Sequence, residues 1–261
     1  MKLKAYHINA FTKQLTGGNP ACVIRLDKWL PDSTMLAIAK ENAVAETAFF
    51  VELEVHIHLR WFTPEIEMDL CGHATLATAH CLYAHLGYKK RIIHFETLSG
   101  RLKVCCEEGF YKMEFPTREG VPAELPDTIA KALNILPKEV YKSRDYLLVY
   151  EAQKDVESIA IERSFFDEIN LDPGGVIVTA PGNTYDFVSR FFTPQASILE
   201  DPVTGSAHCT LIPYWAKKLQ KTEMNALQLS KRGGEIGCIF KKEIVVLSGS
   251  AITIDKSFIA L

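Results

Sequence analysis

Among the seven cysteines of this 261-residue chain (Cys22, Cys71, Cys81, Cys105, Cys106, Cys209 and Cys238) there is no C-x-x-C spacing. An odd set without that spacing suits reduced thiols, not a disulfide framework or a zinc site. No stretch approaches the ~20 apolar residues of a membrane span. The opening MKLKAYHINAF holds no apolar run of signal-peptide length. Basic charge is not in excess: the formal net charge is -3 and the pI about 6.3. That excludes the electrostatic footprint of a protein that binds nucleic acid or anionic membranes. Walker, G-x-G-x-x-G and G-x-S-x-G motifs are all missing, so neither a metal nor a nucleotide cofactor is expected. What is left is the expectation of a soluble, cytoplasmic globular protein and no more.

An internal repeat is present. Residues 60–64 read Arg-Trp-Phe-Thr-Pro and residues 190–194 read Arg-Phe-Phe-Thr-Pro, an offset of 130 in a chain of 261. Gly72-His73-Ala74 and Gly205-Ser206-Ala207 each open an uncharged, apolar stretch, at an offset of 133. Three extra residues therefore belong to the second connecting loop. Two ordered matches at nearly one offset argue for duplication. The first half is placed at 1–116, with the last strand near 250–261 able to join it, and the second at 117–261. The proline-containing segment Pro116–Pro126 is the expected linker.

Strand-length runs rich in β-branched and aromatic residues recur in both halves, among them Ala5–Phe11, Cys22–Leu26, Ala48–Val51, Ile57–Phe62, Gly175–Ala180 and Asp186–Phe192. Ser99-Gly100 and Glu108-Gly109 read as hairpin turns. Helices are expected at Pro31–Asn42, Pro126–Leu136 and Ser164–Asn170. Residues 73–86 contain no Asp, Glu, Lys or Arg, and a helix that is apolar all round is a buried one. Its counterpart from Ser206 to Trp215 is equally uncharged. Each half should therefore wrap strands around one central helix.

A buried helix start still has backbone N–H groups that need partners. Gly72 and Gly205 allow close backbone approach there, so two such starts facing one cleft would hold a carboxylate. Taken singly, His73 and Ser206 only cap their helices; the pairing points to function. Asp201 and Glu200 precede the second helix. Glu46, flanked by apolar residues, either faces solvent or turns inward, where desolvation raises its pKa. Cys71 precedes Gly72, but residues 199–206 hold no cysteine, and Cys209 lies inside the second helix. One thiol cannot serve both faces of a carbon, so a two-thiol racemase mechanism is disfavoured and Cys71 reads as a small residue lining the site. Gly17-Gly18-Asn19-Pro20 reads as a turn that lines a pocket. His56 with His58, and His80 with His85, lack the further ligands a metal site needs.

Gly18-Asn19-Pro20-Ala21, Ala45-Glu46-Thr47-Ala48-Phe49, Phe62-Thr63-Pro64, Leu70-Cys71-Gly72-His73-Ala74-Thr75 and Glu200-Asp201-Pro202-Val203-Thr204-Gly205-Ser206-Ala207 together resemble the PhzF-like phenazine-biosynthesis protein family. The resemblance implies an α+β fold of the diaminopimelate epimerase type. Two similar halves, each a β-barrel-like sheet around a central helix, would carry the site in the cleft between them. It also implies an isomerase free of metal or organic cofactor. The family's phenazine enzyme isomerises a dihydro-hydroxyanthranilate by proton transfer through a glutamate, whose motif matches Glu46. Its histidine, aspartate and glycine–serine positions match His73, Asp201, Gly205 and Ser206, and a homodimer is the family expectation. Ala45 stands where a serine is common, and Asn9 where an aspartate is common.

The expected catalytic residues are therefore Glu46, His73 and Asp201, with Gly72, Gly205, Ser206, Cys71 and Asn19 binding a small carboxylate-bearing metabolite. Two rival readings are an amino-acid racemase or epimerase that uses Cys71 and a non-catalytic binding or interaction protein.

Overall fold

The computed structural model describes residues 2–107, 109–171 and 174–261. It divides into two compact units, Met1–Phe115 with Leu247–Leu261, and Pro116–Val246. The second unit thus ends at Val246, and the C-terminal segment belongs to the first.

In the first unit, the strand Lys2–Ala10 pairs antiparallel with Ala251–Ala260 on one side and Asn19–Leu26 on the other. Asn19–Leu26 then runs parallel to Glu46–Glu52, which is antiparallel to Ile57–Phe62. The helix Asp32–Asn42 makes the parallel crossover and buries Met35, Ile38 and Ala39 against Leu3, Cys22, Ile24 and Phe49. A parallel pair requires such a crossover, because a tight turn cannot return the chain in the same direction. Ile92–Thr97, Gly100–Glu107 and Phe110–Pro116 form a meander. Gly109 ends one of its expected turns with φ +82, while Glu108 lies outside the described residues. The uncharged stretch is the helix Gly72–His85, with ten of its fourteen residues buried. The all-round apolar pattern is therefore accounted for by enclosure within its own unit.

The second unit repeats this plan. Tyr146–Val149 is antiparallel to Glu139–Lys142 and parallel to Val176–Pro181, which is antiparallel to Phe187–Phe192. Phe187–Phe192 is parallel to Glu223–Gln228, itself antiparallel to Gly234–Lys241. The buried helix here is Gly205–Leu219. Pro213 lies inside it. Because proline has no N–H, the carbonyl of Cys209 four residues earlier loses its helical partner. The backbone N–H of Arg118 donates to that carbonyl at 2.9 Å. The proline thus opens a docking point for the chain segment that enters the second unit.

Two expected helices are shorter than read. Asp127–Ala132 stops where Leu133 turns extended (φ -98, ψ 133), and Leu133 pairs with Ile161 instead. Only Arg163–Phe166 is helical in the Ser164–Asn170 region. Within the expected linker, Val121–Pro122 pairs with Tyr141 and Lys142. Tertiary pairing overrides local helix propensity in segments this short.

The duplicated strings share one structural task. Arg60 makes a two-pronged ion pair with Glu67 (2.7 and 2.6 Å) and lies over the rings of Trp29 and Phe62. Arg190 does the same with Glu200 (2.7 and 3.0 Å) over Phe192. Planar guanidinium–carboxylate pairing of this kind fixes geometry as well as charge. The loop after each string is closed by Thr63 N–H to Ile66 O and by Thr193 N–H to Leu199 O, both at 2.9 Å. The three extra residues fall in the second of these loops. Glu200 is therefore engaged in holding the chain that leads to its helix.

Candidate functional site

The first unit holds five of the expected residues, Asn19, Glu46, Cys71, Gly72 and His73, and brings the side chains of Asn19, Glu46, Cys71 and His73 together. Gly18 takes φ +69, and a Cβ there would sit 2.2 Å from the carbonyl oxygen of Ala10; only glycine fits. That turn delivers Asn19, fully buried, to the start of its strand. In the neighbouring parallel strand Ala21 pairs with Glu46, so Glu46 is the first residue of Glu46–Glu52, where the strand opens. Cys71 is the N-cap of the Gly72 helix, and its carbonyl accepts from the N–H and hydroxyl of Thr75 (3.2 and 2.6 Å). His73 in the first turn then meets all three. Its Nε2 lies 2.8 Å from Oε2 of Glu46. Its Nδ1 lies 3.1 Å from Nδ2 of Asn19 and 3.6 Å from Sγ of Cys71.

This cluster is dry but not sealed. His73 and Cys71 are 4% and 5% exposed, whereas the Glu46 side chain keeps 15% of its surface in solvent. Burial penalises an imidazolium, but the Cys71 sulfur and the Glu46 carboxylate outweigh it and hold the His73 pKa well above its ordinary value. Burial, reinforced by Glu46, pushes the Cys71 thiol up, with His73 working the other way. Cys71 therefore remains a thiol near neutral pH, and a thiol is a poor base and nucleophile. The anion facing His73 is the Glu46 carboxylate. Glu46, Cys71 and His73 each bring a ligand-type atom within 4.8 Å of the others. A single ion would still be poorly served, because His73 turns one ring nitrogen to Glu46 and the other to Cys71.

The second unit carries Asp201, Gly205 and Ser206. Asp201 Oδ2 accepts from the Thr204 hydroxyl at 2.5 Å. Gln228, fully buried, clamps the same turn. Its Nε2 donates to Asp201 O (2.8 Å), and its Oε1 accepts from Thr204 N–H (2.8 Å). Ser206 Oγ lies 3.4 Å from Nη2 of Arg144. Neither Gln228 nor Arg144 was expected. A glutamine on the buried side of Met224-Ala226-Gln228, an alternation visible in the sequence, was the available signal for the first. The second had none, since a basic residue in a turn reads as solvated surface.

The duplication is broken at the acid. Thr47 lies opposite Phe62 and Val176 opposite Phe192, and these phenylalanines are equivalent in the repeated strings. Glu46 therefore corresponds to Gly175, where a Cβ would lie 2.3 Å from the Phe191 ring and 2.8 Å from the Phe192 carbonyl. Only the first unit can present a carboxyl at this place. The histidine pairs find other uses: His80 and His85 each turn Nε2 to the Thr253 hydroxyl (2.9 and 2.7 Å), and His58 stands edge-on to Trp29.

His208, in the first turns of the Gly205 helix, donates from Nδ1 to Thr204 O (2.9 Å). Burial depresses its pKa from 6.5 to about 4, the Thr204 hydrogen bond opposing. A base with a depressed folded-state pKa leaves stability intact above the unfolded value and removes it as pH falls from 6.5 toward 4. At pH 5 this histidine alone is expected to remove about 2 kcal/mol. Denaturant unfolding at pH 7.5 and pH 5.0 measures the drop, which should be smaller by that amount in His208→Gln. An equal drop in both proteins would refute the assignment.

The family model described as phenazine biosynthesis-like protein matches residues 8–257. A protein of Pseudomonas aeruginosa named as an uncharacterized isomerase is 44% identical over 251 residues, covering 96% of each chain. A crystal structure of a PhzF-family phenazine biosynthesis protein from Enterococcus faecalis superposes with TM-score 0.95 at 42% identity, covering all of both chains. A probable proline racemase of Agrobacterium radiobacter, only 8% identical, shares the fold at TM-score 0.67 over 99% of this chain and 93% of its own. The fold is thus the one common to PhzF proteins and the proline racemase and diaminopimelate epimerase group, and the chain belongs to the phenazine biosynthesis-like (PhzF) protein family.

Proposed function

We propose that this protein is an isomerase that moves a proton within a small cyclic, amino or hydroxy carboxylate, with Glu46 as the proton carrier. The observation that carries this reading is the 2.8 Å approach of the partly exposed Glu46 carboxylate to the buried His73. Glu46 takes a proton from a substrate carbon and returns it to another position of the same conjugated system, so no proton is gained or lost overall. While Glu46 is charged, the imidazolium of His73 balances it. When Glu46 holds the proton, the pull that keeps His73 protonated weakens, and His73 can hydrogen-bond the substrate's developing anion. With the ring neutral, Asn19 Nδ2 can donate to Nδ1 of His73, which leaves the remaining ring proton on Nε2. The isomerase names of relatives such as the Pseudomonas aeruginosa protein support the reaction class.

Incubating the protein in heavy water with a panel of cyclic and aliphatic amino and hydroxy carboxylates tests the proposal. Deuterium is expected to enter a member of the panel with the wild type. In Cys71→Ala the rate should stay within about tenfold, because a thiol held protonated contributes no base. Exchange confined to a single stereocentre and lost in Cys71→Ala would replace this reading with a thiol racemase. No exchange with any member would refute proton transfer on this substrate class.

A further inference from the structure

The two buried helix starts are braced differently. Trp61 pairs with Met68 and Phe191 with Asp201, at equivalent places of the repeated strings, so Met68 stands where Asp201 stands in the second unit. Cys71 and Thr204 are the two N-caps. Ile57 pairs with Phe95 and Phe187 with Ala226, and Ile57 and Phe187 are again 130 residues apart. Two residues further on, Thr97 therefore matches Gln228, and two beyond that Ser99 matches Ser230. One brace is common to both units: the Ser99 hydroxyl donates to Asp69 O at 2.7 Å and the Ser230 hydroxyl to Pro202 O at 2.8 Å. Fold alone accounts for that serine, since both halves carry it.

Gln228 has no counterpart of this kind. Thr97 is turned to its own hairpin and donates to Gly100 O at 2.7 Å. Gln228, fully buried, instead commits both N–H donors and its oxygen to the turn before the second helix. Its Nε2 donates to Asp201 O (2.8 Å) and to Thr204 Oγ1 (3.1 Å), and its Oε1 accepts from Thr204 N–H (2.8 Å). The Thr204 carbonyl is taken as well, by Nδ1 of His208 at 2.9 Å. Thr204 is thereby held by its amide, its hydroxyl and its carbonyl. With one lone pair of the hydroxyl occupied by Gln228, the O–H is turned to Asp201 Oδ2, 2.5 Å away. A hydroxyl preset as a donor favours the charged form of the carboxyl it faces. In the first unit Met68 and Cys71 take the places of the acid and the hydroxyl, and the glutamine is missing too. The clamp accompanies the acid, not the fold.

We propose that Gln228 is a positioning residue that, through Thr204, fixes the direction of the Asp201 carboxylate and lowers its affinity for a proton. Asp201 then acts as a fixed anionic acceptor for an amino or hydroxyl group of the substrate, and proton carriage is left to Glu46. The part given to Asp201 rests on the proton-transfer reading; the coupling between Gln228 and Asp201 does not.

The Asp201 carboxyl, titrated by carbon NMR on the full chain, tests the coupling without a substrate. Gln228→Met, close in shape but without the amide, should tighten proton binding to Asp201 about tenfold. Thr204→Val should do the same and Thr204→Ser should keep the wild-type affinity. Gln228→Met added to Thr204→Val should change it by less than about twofold, because the link is already cut. Ser230→Ala, which removes the brace both units share, should lower stability and leave the Asp201 titration in place. An unmoved Asp201 in Gln228→Met, or an equal shift in Ser230→Ala, overturns the proposal. Should Gln228→Met fail to fold, the side-chain NH2 resonances of Gln228 in the wild type decide. They should titrate in step with Asp201, and constant resonances overturn the coupling. With a carboxylate that exchanges deuterium, Gln228→Met should raise KM about tenfold and keep kcat within about threefold. A fall in kcat at constant KM overturns the acceptor role. Absence of exchange across the panel removes the proton-transfer reading, and the acceptor role with it, while the titrations still decide the coupling.

Discussion

Glu46→Gln is expected to lower deuterium exchange by about 10²- to 10⁴-fold, the span attributable to a positioned acid–base group. The amide preserves shape and hydrogen-bonding capacity, so ligand binding should persist while proton transfer fails. The neighbouring histidine supplies a readout that needs no substrate. His73 is raised against its own burial by Cys71 and Glu46, and with the Glu46 charge removed its pKa is expected to fall. An NMR titration of the His73 ring in both proteins measures that fall. Full exchange activity in Glu46→Gln would remove Glu46 from the mechanism, and an unmoved His73 titration would remove the charge coupling inferred from the 2.8 Å contact.

At the position equivalent to Glu46, Gly175→Ala is expected to destabilise the second unit by about 3 kcal/mol. The added Cβ would meet Phe191 Cζ at 2.3 Å and the Phe192 backbone oxygen at 2.8 Å. The ring is part of a buried strand and the oxygen is main chain, so neither yields as the end of a flexible side chain would. The Gly175 N–H that donates to Asp145 Oδ1 would shift too, loosening the turn that carries Arg144. A fall in melting temperature of roughly 6–12 °C is expected, followed by circular dichroism. A change below about 2 °C would show that the strand moves freely there. The two halves thus differ at one register position, where one admits an acid and the other admits no side chain.

Much of the architecture was legible because it depends on local pattern. The duplicated Arg-aromatic-Phe-Thr-Pro strings, the strand runs and the uncharged stretch from His73 record whether a segment is buried on one face, two faces or all round. Such information sits in neighbouring residues and survives without knowledge of the fold. Helices that stop early, as at Leu133, were not legible, because a distant strand partner outcompetes a few residues of helix propensity.

By itself, then, the sequence determined a duplicated α+β chain with two buried helix starts and, through its resemblance to the PhzF family, an acid at Glu46. Tertiary structure alone decided what those starts touch. The contact of Glu46 with His73 spans 27 residues, that of Asn19 with His73 spans 54, and that of Arg144 with Ser206 spans 62. Charge coupling falls off over a few ångströms, so its strength is set by strand register and by glycines at Gly18 and Gly175, not by order along the chain. The duplication marked two equivalent places; packing made one a carboxylate–imidazole pair and the other an arginine–serine pair.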